Sequence, residues 1–289
     1  MKDRAHAVAV IAKRRIYETF ISPGFYVTLA LGLLLGYLLI RGFVRAIDSS
    51  GFNYTLNPLY DLIGRGLSGA FGATFLDKLF AEGPFLFALY LSFLPSFLYL
   101  ALSSVFRFGL ERKVGAVELV VFGPADGTSY LIAGFVKDLL LTLLVLAAQL
   151  AFFFLAAAIN NLVLGPMFFT SLVMIFFLAM AVYAYGLLTS VLTDNASSSI
   201  ALFLCLLIFF AIIMMGAFTI VSGYVRDLVA VLAWLIQWIS PLYYWGMSLA
   251  AVEYGNGGLF FLSLLFSILL SLALLLASHV TLKIRGVHP

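Results

Sequence analysis

The sequence predicts an all-α membrane protein with six transmembrane helices and cytoplasmic N- and C-termini. Hydrophobic residues are 64% of the 289 residues and charged residues only 10%, whereas a soluble domain has about 25% charged residues. A helix needs about 20 apolar residues to cross a bilayer. The six charge-free windows close to that length are 25–40, 84–106, 139–159, 167–189, 200–221 and 259–280. These windows lack the polar–apolar alternation of barrel strands, so helices are expected.

The first element is an amphipathic helix over residues 1–23. Val8, Ala12, Ile16 and Phe20 recur every four residues, and most charged side chains point away from that line. Such a helix lies in the membrane interface. Ser22-Pro23-Gly24 should end it, because the residue before a proline disfavours the helical conformation.

The distribution of lysine and arginine predicts the orientation. With the N-terminus inside, 11 of these residues lie on the cytoplasmic side and five lie outside. Positive residues close to the membrane are retained in the cytoplasm. The net charge of +3 therefore follows from topology, and no separate basic patch suggests nucleic-acid binding.

The chain is expected to form one transmembrane domain over residues 1–289, whose parts follow from the six windows. Its segments are the amphipathic helix 1–23, spans 1 and 2 over 24–106 with an external loop at 46–83, a cytoplasmic region at 107–138, spans 3 to 5 over 139–221, an external region at 222–258, and span 6 with a cytoplasmic tail over 259–289. Within 222–258, residues Leu228 to Ile239 are too few to cross the bilayer. This stretch is expected to be a re-entrant or interfacial helix before the last span.

Aromatic residues gather in the same external region. They include Trp234, Trp238, Tyr243, Tyr244 and Trp245. Amphipathic rings favour the headgroup level of a bilayer, so one interpretation is an outer aromatic belt. The alternative is a gate or substrate exit lined by rings.

The predicted spans carry almost nothing ionisable, and no catalytic, cofactor-binding or metal-binding cluster is recognisable. Ion-coupled transporters generally place carboxylates or basic groups at depth. Gln149 is the main polar side chain near the middle of a span and is expected to form an interhelical hydrogen bond. We therefore expect that the chain is not an enzyme by itself and that the energy for any transport comes from another polypeptide.

The longest run of charge between two of the apolar windows is 111–119, which is followed by Gly123-Pro124. On a helix, Leu110, Val114, Val117 and Val121 share one side, and Glu111 and Glu118 lie on another. This pattern is typical of a surface helix that contacts a partner. The chain has no G-x-x-x-x-G-K-[ST] motif, so an ATPase partner would be a separate subunit.

These stretches resemble the permease subunits of ABC-2 type transporters, in particular the gliding-motility and copper-enzyme-maturation branch. The resemblance covers nearly the full length. The matching stretches are 17–27 with its Ser-Pro before Tyr26, 111–119 followed by Gly123-Pro124, the turn 192–195, and Ser240-Pro241-Leu242-Tyr243-Tyr244. Ala116 stands where the family usually has threonine.

The resemblance implies a half-transporter that works with a second permease copy, either identical or a close paralogue, and with two ATPase subunits that hold ATP and Mg. Residues 107–126 would be the main coupling helix, and 193–199 a second contact. The residues implied in ATPase coupling are Glu111, Arg112, Lys113, Gly115, Glu118, Pro124, Thr193, Asp194 and Asn195. The structural alternative for Glu111 and Glu118 is a solvated polar face of an inner loop.

The expected function is that of an exporter permease in the cell membrane, in contact with lipid. The alternative is a mechanotransmitter that uses the same ATPase to move an extracytoplasmic partner, which the long external segments permit. A membrane-embedded enzyme is disfavoured by spans without acid, base or metal ligands. Lipids, lipid-linked glycans, hydrophobic drugs and peptides all remain candidate substrates.

Overall fold

The computed structural model describes residues 2–45, 47–48, 51–52, 58, 60–62, 84–113, 126–219, 234 and 236–285. Within these residues the chain forms eight α-helices and one pair of two-residue strands. The helices are α1 Lys2–Ile21, α2 Pro23–Arg45, α3 Pro84–Lys113, α4 Gly127–Asn160, α5 Pro166–Leu192, α6 Ala196–Thr219, α7 Pro241–Glu253 and α8 Gly257–Arg285. The strands are β1 Ile47–Asp48 and β2 Gly51–Phe52, which pair antiparallel.

Five of these helices, α2, α3, α4, α5 and α8, are long and apolar enough to cross a membrane. They confirm a multi-pass helical membrane protein. The fifth predicted span coincides with α6, which has 24 residues. Its first part, Ala196–Ile212, is apolar but shorter than the other five helices.

Helices α3 and α5 form the centre of the bundle. In each, 56% of the most apolar window is buried by other helices, compared with 22% to 39% in α2, α4 and α8. Helix α3 packs against α2, α4, α5 and α6, and α5 also contacts α7 and α8. A movement of α3 would therefore reach most of the bundle directly.

Glycines permit the close crossing of α2 over α3. A Cβ added to Gly32 would lie 2.2 Å from the backbone oxygen of Ser92 in α3. A Cβ on Gly36 would lie 3.3 Å from the ring of Phe152 in α4. Small residues one turn apart let helix backbones approach in a membrane, so α2 is held against the centre of the bundle at this point.

The ends of several helices follow the local sequence signals. Ser22 separates α1 from α2, which begins at Pro23, as the sequence predicts. Asp126 caps α4, and its side chain accepts a hydrogen bond from the Ser129 backbone N–H at 2.9 Å. Asn161 ends α4 in the left-handed conformation, with φ of 52°.

The sequence predicts a re-entrant or interfacial helix over 228–239, before the last span. The described residues that follow this stretch form helix α7. It begins at Pro241, because proline at the first helical position needs no N–H partner. Helix α7 packs against α8 and α5. Of the predicted stretch, 228–233 and 235 lie outside the described residues.

A buried tyrosine fixes part of the segment between α2 and α3. Tyr60 is fully buried, and its hydroxyl donates a 2.7 Å hydrogen bond to the carbonyl oxygen of Leu39. Its ring packs against Phe43 and Phe87. Burial raises the pKa of the Tyr60 hydroxyl above the ordinary tyrosine value. The predicted external segment 46–83 is thus attached to α2 and α3 at this residue.

Candidate functional site at the α1 end of the bundle

Helix α1 lies against one end of the bundle, which we call the α1 end. It comprises α1, the last turns of α3, the first turns of α4 and the turn between α5 and α6. Helix α1 packs mainly on α4. Its buried residues, Ala12, Arg15 and Thr19, face the bundle with half-buried Ile16 and Phe20. The predicted amphipathic helix is therefore present, with an arginine inside its buried face.

Arg15 connects α1 to α3 and α4. Its Nη2 lies 2.6 Å from Glu111 Oε2, and its guanidinium stacks 4.1 Å from the centroid of the Tyr130 ring. The Tyr130 hydroxyl donates to the same carboxylate oxygen of Glu111. The Arg15 side chain is 8% exposed and the Glu111 side chain 28%. Charge-assisted hydrogen bonds of this kind are about twice as strong as neutral ones.

Gly134 makes room for the arginine. A Cβ at position 134 would lie 2.8 Å from Arg15 Nη1, so the guanidinium rests directly on the backbone of α4. Tyr130 and Gly134 are one turn apart and therefore share a face. The first turns of α4 thus bind Arg15 through the ring of Tyr130 and leave space for its guanidinium at Gly134.

A second charged connection lies beside the first. Arg107 Nη1 of α3 is 2.8 Å from Glu18 Oε2, and Arg14 Nε is 3.0 Å from Glu18 Oε1. The three side chains are partly or largely exposed, so this connection is worth less than the buried one. Together we call Arg15, Glu18, Arg107, Glu111 and Tyr130 the α1 clamp.

Two further polar contacts are made at the start of α4. Arg4 Nη2 lies 3.5 Å from Asp126 Oδ2, and Thr128 Oγ1 lies 2.8 Å from His279 Nδ1 of α8. The hydrogen bonds from Ser129 hold the pKa of Asp126 below its ordinary value, with a smaller contribution from Arg4. Helices α1 and α8 therefore both contact the start of α4.

The structure describes only part of the predicted coupling segment 107–126. Residues 107–113 are the last two turns of α3, and 114–125 lie outside the described residues, including Gly115, Glu118 and Pro124. Lys113 is exposed, and nothing is described of the Arg112 side chain. Glu111 turns inward to the α1 clamp, which differs from the solvated face considered from the sequence.

The second predicted contact, Thr193, Asp194 and Asn195, lies at the same end. Thr193 Oγ1 donates to the Thr189 carbonyl at 2.9 Å and lies 2.5 Å from Ser199 Oγ, which gives a tightly bonded turn between α5 and α6. A Cβ on Gly109 of α3 would lie 2.7 Å from Ala196 Cα. The structure therefore brings this turn next to the end of α3.

The predicted gate residues form a packed aromatic cluster far from the clamp. Ring centroids are 6.2 Å apart between Trp234 and Trp238 and 5.7 Å apart between Trp238 and Tyr243. Trp245 donates a 3.2 Å hydrogen bond to the Tyr90 hydroxyl of α3, and Tyr244 donates a 2.6 Å bond to the Trp238 carbonyl. The pKa of Tyr244 is raised chiefly by burial and to a smaller extent by the neighbouring Tyr243.

A small cavity adjoins this cluster between α5, α7 and α8. Its volume is about 10 Å³, and its lining includes Tyr244, Trp245, Ser248, Ser263 and Ser267. A cavity of this size holds about one water molecule. Among the described residues, this cavity is too small for a substrate beside the aromatic cluster.

Two charged residues lie directly before the predicted third span and are buried. Helix α4 begins at Gly127, so Lys137 and Asp138 belong to the same helix as this span and are 2% and 0% exposed. Asp126, a residue type that favours the N-cap position, is the sequence signal that could have placed the helix start earlier.

The expected hydrogen bond of Gln149 is also absent from the described part of the chain. Gln149 is fully buried in α4, and neither Nε2 nor Oε1 has a hydrogen-bond partner. Among the described residues, no group of three or more histidine, cysteine, aspartate or glutamate side chains could hold a metal ion.

No protein-family model matches the chain, and no curated protein is significantly similar to it.

Proposed function

We propose that this chain is the permease subunit of an ABC exporter that is driven by ATP hydrolysis in a separate ATPase subunit. The proposal includes six spans, with α6 as the fifth of them, and a cytoplasmic α1 end. At about 1.5 Å per residue, the 24 residues of α6 extend about 36 Å, which exceeds the roughly 30 Å apolar core of a bilayer.

The observation that carries the proposal is the α1 clamp. Segment 114–125 joins α3 to α4, and the clamp ties the flanking ends of both helices to α1 through Arg15, Glu111 and Tyr130. A load applied to that segment would therefore move α1, α3 and α4 as one unit. A loose loop would absorb the same load without moving the spans.

The packing of α3 supports transmission from the clamp into the bundle. Helix α3 contacts four other long helices, and its Gly109 adjoins the 193–195 turn. Two points of contact with an ATPase, on segment 114–125 and on this turn, would thus act on α3 together. Closure of two ATPase subunits on ATP and Mg would tilt the spans of two permease copies.

Asp138 bears on the energy source of any transport and not on the α1 clamp. A buried carboxylate in α4 means that ion-driven transport is no longer disfavoured by the composition of the spans. The clamp, the missing phosphate-binding motif and the family resemblance support a separate ATPase partner.

Affinity capture of the tagged chain from its native membrane tests the proposal. We expect a P-loop ATPase to copurify in equal copy number and to hydrolyse ATP more slowly when it is separated from the permease. Recovery of the folded chain without any nucleotide-binding subunit would contradict the proposal.

A charge reversal at the predicted contact sharpens the test. Glu118→Lys should lower both ATPase recovery and ATP turnover at least tenfold, the effect of about 1.4 kcal/mol of lost binding. Lys283→Glu is a matched control, because Lys283 is exposed on α8 at the α1 end but outside the predicted contacts. Equal recovery and turnover for both variants would refute coupling through segment 107–126.

A further inference from the structure

The carboxylate of Asp138 has an unusual environment for a buried charge. It is fully buried in α4, and neither oxygen accepts a hydrogen bond from the described residues. Lys137 Nζ lies 2.6 Å from Oδ1, but this is a charge contact between sequence neighbours without hydrogen-bond geometry. A buried carboxylate normally needs both an ion partner and several hydrogen-bond donors. Asp138 has only the first.

Asp138 belongs to a polar line along one face of α4. Tyr130, Gly134, Asp138 and Thr142 follow each other at intervals of four residues, so their side chains stack on one side of the helix. The α1 clamp occupies the first two positions, since Arg15 rests on Tyr130 and Gly134. The line continues from the clamp into the apolar part of the bundle.

The depth of Asp138 follows from the length of α4. Asn160 at the other end of the helix is 22 positions further along the chain, a distance of about 33 Å. The hydrocarbon core is about 30 Å thick. Asp138 therefore lies at the edge of the apolar layer closest to the α1 end, where the path to water is short.

Few charged or titratable groups face Asp138 from the helices packed on α4. Helix α1 contributes Arg15, one turn away at Gly134, and α3 contributes Glu111, which is engaged by Arg15. Helix α5 contributes Tyr183, which lies within electrostatic reach of Asp138. Helix α8 contributes His279, which contacts Thr128 about 15 Å further along α4. No described charge of α2 faces it.

We propose that Asp138 is a proton-binding site and that Lys137 is its releasable counter-ion. In the step, a hydronium ion from the α1 side gives its proton to a carboxylate oxygen of Asp138; an O–H bond forms there and a water molecule is left. Neutral Asp138 no longer holds the ammonium of Lys137. The ammonium of Lys137, about 15 Å from the start of α4, can then turn away from Asp138 on its long stem.

The geometry favours a proton over other ligands. A metal cation would meet the ammonium of Lys137 at 2.6 Å from the same oxygen. The buried hydroxyls of Tyr183 and Thr142 are hydrogen-bonded to each other at 2.8 Å. They continue the polar line of α4 beyond Asp138. A proton is small enough for a site that is closed on every described side. The site does not depend on the proposed ATPase.

Infrared difference spectroscopy of the purified full chain in lipid nanodiscs tests the site. Acidification to about pH 4 should produce carbonyl bands of protonated carboxylic acids, because ordinary carboxyl groups begin to protonate there. We expect one component of these bands to come from Asp138, and Asp138→Asn should remove that component. Asp126→Asn, which alters the partly exposed cap of the same helix, should leave it in place.

Lys137→Gln provides a second measurement that does not require Asp138→Asn to fold. Removal of the neighbouring cation disfavours the carboxylate, so the Asp138 component should appear at a pH at least about one unit higher. An unshifted midpoint in Lys137→Gln, or identical titrations of the unaltered chain and Asp138→Asn, would overturn the proposal. A loss of this component in Asp138→Asn together with the shift in Lys137→Gln would establish it.

Discussion

Arg15 of α1 and Glu111 of α3 are 96 positions apart in the chain and meet at 2.6 Å. Arg15 is the more deeply buried of the two, and Glu111 is its ion-pair partner among the described residues. This contact holds an interfacial helix to the end of the most central helix. It also explains why an arginine lies in the apolar face of α1.

The first prediction concerns this pair. Glu111→Ala should lower the free energy of unfolding by about 3 kcal/mol, because it leaves the buried guanidinium of Arg15 without its carboxylate. Reversible unfolding in mixed micelles measures the change. A double variant with Arg15→Glu and Glu111→Arg exchanges the two charges. It should recover more than half of the unfolding free energy that Glu111→Ala loses. If the double variant is no more stable than the sum of the single variants predicts, the two residues do not act as a pair.

The second prediction concerns the crossing of α2 and α3. Gly32→Ala should destabilise the protein by about 1–3 kcal/mol, the cost of overpacking, because its Cβ would meet the Ser92 backbone oxygen at 2.2 Å. Gly246→Ala in α7 is the control, since no heavy atom lies within 4 Å of its Cβ position. It should be neutral or slightly stabilising. Equal unfolding temperatures for both variants would contradict the close crossing.

The third prediction concerns pH and the start of α4. The pKa of Asp126 is lowered, chiefly by the hydrogen bonds from Ser129. A carboxyl group with a lowered pKa stabilises the fold above its unfolded pKa of about 3.9, and this contribution is lost as the pH falls through the folded value. Asp126→Asn should therefore show a smaller loss of stability than the unaltered chain below about pH 4. Parallel acid curves for the two proteins would exclude this role.

The helical pattern of the chain was predictable because it depends on local composition. Charge-free windows identify α2, α3, α4, α5 and α8 without any tertiary information. Ser22 and Pro23 likewise place the break between α1 and α2 by local sterics. Such signals do not depend on which helices later become neighbours.

The features that the sequence does not predict depend on tertiary contacts. The predicted third span begins at Leu139, and only the packing of the other helices shows that the preceding Lys137 and Asp138 are buried. The partner of Glu111 is Arg15, which lies 96 positions away in the chain and is brought to it by the fold.

The last prediction separates the aromatic residues that hold the fold from those that contact lipid or solvent. Trp245→Phe should lower the free energy of unfolding by about 1 kcal/mol, because the indole N–H bond to the Tyr90 hydroxyl joins α7 to α3. Trp234 is 55% exposed, so Trp234→Phe should change stability by less than about 0.5 kcal/mol. Reversible unfolding in mixed micelles measures both variants. A larger loss for Trp234→Phe than for Trp245→Phe would show that the exposed ring, and not the Tyr90 contact, secures this region.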